Sequence, residues 1–328
     1  MSWMTRLRLL GALLGLTVSA ALVAAPTHAA PTHAGPSADV VLARACAGQA
    51  PIEATVLARG AACDLTGRLV VSGGASAVVP PQGQAVVSVG DSGSGAPQRL
   101  IVEHFDGVVR TRTTLPGDLD KARAPLPACQ DKAYKLYPDA PRWKSRLRYS
   151  YNKTGQLAGF STKAQLRAVK RAGRTVSSGR NDCGLDDKID AYVGYLGTTS
   201  LKPGIRATKD GASCGAQDGK NVVGWGKLGG DSAGWTCFYY DGKGRIFTAD
   251  ILLEASDGLG VGVDPKCTDV LDLQSLLTHE FGHAYGLDHI SEAHWNLTMP
   301  HLLPYCSKED RTRGLGDYLG LKKLYGLR

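Results

Sequence analysis

Three histidines and a glutamate fall together in HEFGHAYGLDH, residues 279–289. His279 and His283 stand four apart, so on a helix their imidazoles leave the same face about one turn apart and can share one tetrahedral metal ion. Glu280 lies between them in sequence. Its carboxylate can reach the position the histidines leave open, take a proton from a water there, and later give it to a leaving group. Gly286 permits a sharp turn that brings His289 back as a third ligand. Three nitrogen ligands beside a carboxylate, with no cysteine near enough to close the shell, describe an open catalytic zinc site more than a closed structural one.

These residues need a helix and a sheet to hold them. Asp272 has the side chain of an N-cap, and Leu273, Leu276 and Leu277 start a helix that runs to His283 and stops by Gly286. Upstream, RLRYSYN (146–152) has a strand pattern, and TKAQLRAVKRAGRTV (162–176) spaces Leu166, Val169, Ala172 and Val176 for a helix. Apolar runs at 191–196 and 221–225 lead to GWTCFYYD (234–241), the turn DGKG and RIFTADILLEA (245–255). A strand entering that turn pairs antiparallel with its successor and can leave its other edge free. The pattern predicts a mixed sheet with a hairpin near its end, in an α+β fold.

Residues 38–115 instead alternate short β-rich stretches, such as 68–72 and 85–89, with turn clusters like GDSGSG. The segment 115–127 carries three prolines and mixed charge, as a linker does. Residues 30–125 are therefore expected to form a small β-rich N-terminal domain, a propeptide or a binding module, and 126–328 a second domain.

Arg6 and Arg8 precede an apolar run from Leu9 to Ala25 and then small residues, which is the pattern of an export signal (1–29) cleaved near Ala29. No second apolar run approaches spanning length, so a secreted, extracellular protein without a membrane anchor is expected. Eight cysteines, an even number with no CxxC pair, fit disulfides in an oxidising compartment. The net charge is +8, and because charges balance over 30–129 the excess beyond the signal falls on 130–328. No basic run with interleaved aromatics points to nucleic acid, although the basic surface suits contact with an anionic cell envelope. Asp231, Asp241 and Asp257 sit in loops without a calcium-ligand pattern and read as turn residues, so a calcium ion cannot be derived from them.

HExxHxxGxxH is the signature of the metzincin zinc metallopeptidases, and the resemblance covers most of 130–328. It implies a twisted, mostly parallel sheet with one antiparallel edge strand, an active-site helix and a C-terminal helix. It also implies a methionine beneath the metal, for which Met299 in NLTMP stands ten residues past His289. The matrixin branch looks most similar, through HEFGHAYGLDH, ADILLEA and the final GDYLGLKKLYG, where Asp317 and Gly320 match and the aspartate would lock the last helix beneath the site. By this resemblance GWTCFYYD is the edge strand on which an extended peptide pairs. His301 would stand where some members place a tyrosine near the oxyanion, and Tyr305 would help shape a substrate pocket. Ile290 replaces the serine typical of matrixins. No histidine lies between His104 and His279 to hold their second zinc, and the latency segment PRCGxPD is missing.

The likeness to secreted matrixin-like proteins of actinobacteria suggests the disulfides Cys183–Cys214 and Cys267–Cys306, with Cys46–Cys63 inside the N-terminal domain and Cys129–Cys237 remaining. The resemblance and the export signal together imply a secreted zinc endopeptidase acting on protein or peptide substrates. The rival expectation is an envelope-binding or adhesin-like protein that keeps the fold with little proteolysis.

Overall fold

The computed structural model describes residues 37–92, 98–113, 126–255 and 258–328. The export signal, the linker up to Pro125 and Asp257 lie outside the described residues. The chain enters through a helix, α1 (Ala38–Ala47), where composition suggests only β structure: the Ser37 hydroxyl caps the Val40 N–H, and ADVVLARACA supplies good helix formers. Strand β1 (Ile52–Glu53), the single-turn helix α2 (Ala54–Leu57) and strands β2 (Leu69–Ser72) and β3 (Ala75–Val78) follow. Longer strands β4 (Gln84–Ser92), β5 (Gln98–Phe105) and β6 (Val108–Thr113) come next. Past the undescribed linker, short strands β7 (Lys135–Leu136) and β8 (Arg142–Trp143) precede β9 (Leu147–Tyr151), helix α3 (Thr162–Ser178) and β10 (Val193–Thr198). Strands β11 (Ile205–Ala207), β12 (Ala212–Cys214), β13 (Val222–Gly226), β14 (Ser232–Asp241) and β15 (Arg245–Glu254) lead to helices α4 (Leu273–Ala284) and α5 (Leu315–Tyr325).

The fold is mixed α+β. Its main sheet has nine strands, in the order β10-β9-β13-β15-β14-β4-β5-β6 with β8 beside β15. Neighbours from β10 to β15 run parallel, whereas β14, β4, β5 and β6 pair antiparallel. The DGKG hairpin forms as expected, and the Asp241 carboxylate accepts hydrogen bonds from the backbone N–H groups of Lys243 (2.9 Å) and Arg245 (3.0 Å). The free edge expected on β14 does not exist: β4 pairs with it from Ser232–Ser92 to Asp241–Gln84. The physical reason is in β4 itself. Its apolar residues are buried on both faces, so it needs neighbours on both edges to satisfy its backbone.

Side-chain alternation sends each of these strands into two cores. Ala85, Val87 and Val89 of β4, Ile101 of β5, Phe238 and Tyr240 of β14, and Ile251 and Leu253 of β15 face α3 and α4. Their sequence neighbours Val86, Leu100, Val102, Trp235, Cys237, Tyr239 and Leu252 face the other way, into a core shared with a five-stranded sheet in the order β1-β2-β3-β12-β11. Strands β4, β5 and β6 are thus woven into the same sheet as β9, β10 and β13–β15, and β1–β3 share the other sheet with β11 and β12.

Helix α3 buries Val169, Ala172 and Val176 as its spacing requires, and α4 begins at Asp272, whose side chain accepts from the Ser275 N–H at 3.0 Å. Four disulfides close the described chain: Cys46–Cys63 and Cys267–Cys306 join as expected, but Cys129 pairs with Cys183 and Cys214 with Cys237. The two exchanged pairs follow from placement. Cys214 and Cys237 both point into the second core, whereas Cys183 lies on the exposed side of the Asn181 turn, near Cys129.

Candidate metal centre

Helix α4 presents His279 and His283 on one face, and the chain then turns at Gly286, with φ +95°, to bring His289 alongside. A side chain at Gly286 would place its Cβ 2.2 Å from the Pro141 carbonyl, so the turn excludes one twice over, by φ and by contact. The Nε2 atoms of the three imidazoles converge: His279–His283 are 2.8 Å apart, His283–His289 3.0 Å and His279–His289 3.3 Å. His279 turns its Nδ1 to the Thr298 carbonyl (2.6 Å), and His283 turns its Nδ1 to the Leu287 carbonyl (2.9 Å), with the Tyr137 hydroxyl oxygen 3.0 Å from the same atom. Carbonyls only accept, so these Nδ1 atoms carry the protons and the Nε2 atoms carry lone pairs. Lone pairs pointed at one another in a buried space can be satisfied by a cation among them, and this donor set fits one; burial works against a charge on His279, but Asp91 raises its pKa above the usual imidazole value.

A fourth buried group completes the cluster. Asp91 of β4 places Oδ1 2.7 Å from His289 Nε2 and 2.9 Å from His279 Nε2. Asp91, His279, His283 and His289 together form a buried set of ligand atoms that can hold a metal ion. The alternation along β4 explains the position: Asp91 continues the row of Ala85, Val87 and Val89 that faces α4. Burial works against its charge, but the three imidazoles hold the Asp91 carboxyl well below the usual range. Burial and its imidazole neighbour lower His283, and they lower His289 much further, which favours the neutral form that binds metal.

Glu280 lies beside this group, fully buried. Its Oε2 accepts from the Thr236 hydroxyl of β14, and Oε1 has no hydrogen-bond partner. Burial, with the Asp91 charge adding to it, raises the Glu280 carboxyl well above the ordinary range. Asp91 meets the same carboxyl and favours its protonated form, and a carboxyl so placed next to converging imidazoles is equipped to exchange a proton.

Met299 is buried beneath the histidines, and its carbonyl accepts from the Ile290 N–H at 3.1 Å. The Asp317 carboxylate accepts from the Thr298 N–H (3.0 Å) and from the Gly314 N–H (3.1 Å), tying α5 to the segment under the site. His301 is buried near the cluster, its ring 6.2 Å from that of His289, but its Nδ1 meets Glu292 at 2.6 Å. Tyr305 stands about half exposed. The residues that sequence reasoning missed are Asp91, Thr236, Tyr137 and Arg313, whose guanidinium donates to the Thr278 carbonyl at 2.9 Å. For Asp91 a signal existed: an acidic residue ending an alternating strand on its apolar face. No protein-family model matches the chain, and no curated protein matches it.

Among the described residues no helix is long and apolar enough to cross a membrane.

Proposed function

We propose that the chain is a secreted zinc-dependent endopeptidase of the metzincin kind, similar to matrixins. The observation that carries this reading is the convergence of three Nε2 lone pairs beside the unpartnered Oε1 of Glu280. His279, His283 and His289 would hold the ion, and nitrogen ligands from imidazole favour zinc over calcium or magnesium. Zinc supplies Lewis acidity, which polarises a peptide carbonyl and makes a water acidic near neutral pH. Glu280 takes the water's proton at Oε1 and delivers it to the departing amine nitrogen, while Thr236 fixes Oε2 so that the free oxygen keeps its aim.

The test compares the wild-type chain with Glu280→Gln, each intact and each cut once within residues 114–125. Glu280→Gln is expected to keep about one zinc per chain by elemental analysis and to lose peptide cleavage by a factor of about 10³ or more. Cleavage by the variant at the wild-type rate, or failure of every wild-type form to cleave a peptide library in a chelator-sensitive way, would sink the proposal.

A further inference from the structure

We infer that α3 and the segment leading into α4 frame a site for an anionic phospholipid at a membrane surface: a basic recess takes the phosphate, and an apolar groove adjoining it takes an acyl chain. The site stands apart from the peptidase reading, because none of its lining residues belongs to the metal centre.

The groove has a volume of about 880 Å³, within the range of roughly 300–1,000 Å³ for small-molecule sites. Leu157 and Phe160 before α3, Leu259, Val261 and Val263 after β15, and Val270 before α4 give it an apolar wall. Gly260 keeps the space open: a Cβ there would fall 2.6 Å from Val270 Cγ1 and 3.8 Å from Phe160 Cζ. The described lining holds one carboxylate, Asp264, and Lys266 in the same wall offsets it.

A second recess of about 210 Å³ adjoins the groove and shares Val261, Gly262 and Lys308 with it. Arg311 in its lining is neutralised by Asp272, with Nε 2.7 Å from Oδ2. Arg167, Arg171 and Lys308 are exposed and have no carboxylate partner among the described residues, so they carry the excess charge. Arg167 and Arg171 stand four apart on α3, where like charges repel, and no acidic residue of that helix offsets them. An anion between the two guanidiniums relieves the repulsion, and phosphate oxygens suit their forked donors.

Two features favour a lipid in a bilayer over a small anion. A bare phosphate would leave the apolar groove uncovered. The charge also continues past the recess: Lys163, Arg167, Arg171 and Arg174, all exposed, follow one another at spacings of four, four and three, which is one stripe along α3. A stripe of that length matches a surface of many anionic headgroups. Phe160, 40% exposed beside the groove, has the ring that settles at a membrane–water boundary.

The full chain is expected to cosediment with vesicles of equal phosphatidylglycerol and phosphatidylcholine and to stay in solution with phosphatidylcholine alone. Arg167→Gln/Arg171→Gln should weaken binding to the anionic vesicles about tenfold or more. Phe160→Ser should weaken it even at about 0.5 M salt, where charge attraction is screened. In isothermal titration, dihexanoyl phosphatidylglycerol below its micelle threshold should bind at one site per chain, whereas inorganic phosphate and hexanoate at the same concentration should not. Equal binding to both kinds of vesicle, a double variant that binds as wild type does, or no titratable site for the monomeric lipid overturns the proposal. Phosphate or hexanoate binding as tightly as the lipid overturns it too, and would assign the site to a free anion or a fatty acid. If circular dichroism shows the double variant misfolded, Lys308→Gln replaces it, with a loss of about threefold or more expected and wild-type affinity counting against the site.

Discussion

Arg313 is a buried cation packed under the candidate metal centre. It donates to the Thr278 carbonyl on α4 and to Thr298 Oγ1, and lies 3.6 Å from Met299 Sδ. Burial pulls its pKa to about 10, yet it stays charged at neutral pH beside Asp317 and Asp310. Arg313→Met would strand those carboxyls and free the segment whose Thr298 carbonyl orients His279. Its expected cost is about 3–5 kcal/mol in denaturant melts, with metal affinity reduced about 10–100-fold in chelator competition. Asp310 next to it makes a pH prediction. Burial, then the charge of Asp317, push its carboxyl up to about 7 from an unfolded value of 3.8. A raised folded-state pKa means that the folded chain binds the extra proton, so this contribution is complete below pH 3.8 and is lost as pH rises to about 7. Asp310→Asn, which keeps the neutral shape, is expected to remove that slope of up to about 1.4 kcal/mol per pH unit. Thermal melts of both proteins from pH 4 to 8 decide it, and parallel curves would refute it.

At the level of elements, legibility in the sequence depends on how local the determinant is. The Asp272 cap, the apolar spacing of α3 and the DGKG hairpin are set within a few residues, and the folded chain keeps all three. The histidine triad is legible for the same reason, since helix pitch and one glycine fix its geometry. Asp91 meets His289 across 198 residues and Ser88 of β4 meets Trp235 of β14 across 147, and nothing in AVVSVGD names its partners. Disulfides do not divide by sequence distance: Cys267–Cys306 spans 39 residues and follows the resemblance, whereas the unexpected Cys214–Cys237 spans only 23 and depends on which sheet face each residue reaches. Gly286 shows how strict a local determinant can be. Gly286→Ala must force both φ +95° and a contact with the Pro141 carbonyl, so a loss of about 2 kcal/mol or more is expected, with His289 displaced. Isothermal titration should then show weakened metal binding, and unchanged affinity would mean that the turn does not set the third ligand.

For the whole molecule the consequence lies in the shared sheet. Residues 37–328 cluster as one compact unit, and β4, β5, β14 and β15 each bury alternate residues in both cores, so neither core can melt without exposing the back of the other. Unfolding is therefore expected to be a single transition in calorimetry, with calorimetric and van't Hoff enthalpies in agreement. A metal ion held by Asp91, His279, His283 and His289 should stabilise all of it, because those residues come from β4, from α4 and from the turn after α4. A ligand bound only by the folded state adds RT ln(1 + [L]/Kd), about 4 kcal/mol at a thousandfold excess over Kd. Chelation should thus move the whole transition down in temperature without splitting it. Two transitions, of which only one moved with chelator, would mean that residues 37–113 fold independently of the metal and that the sheet is continuous in geometry but not in energy.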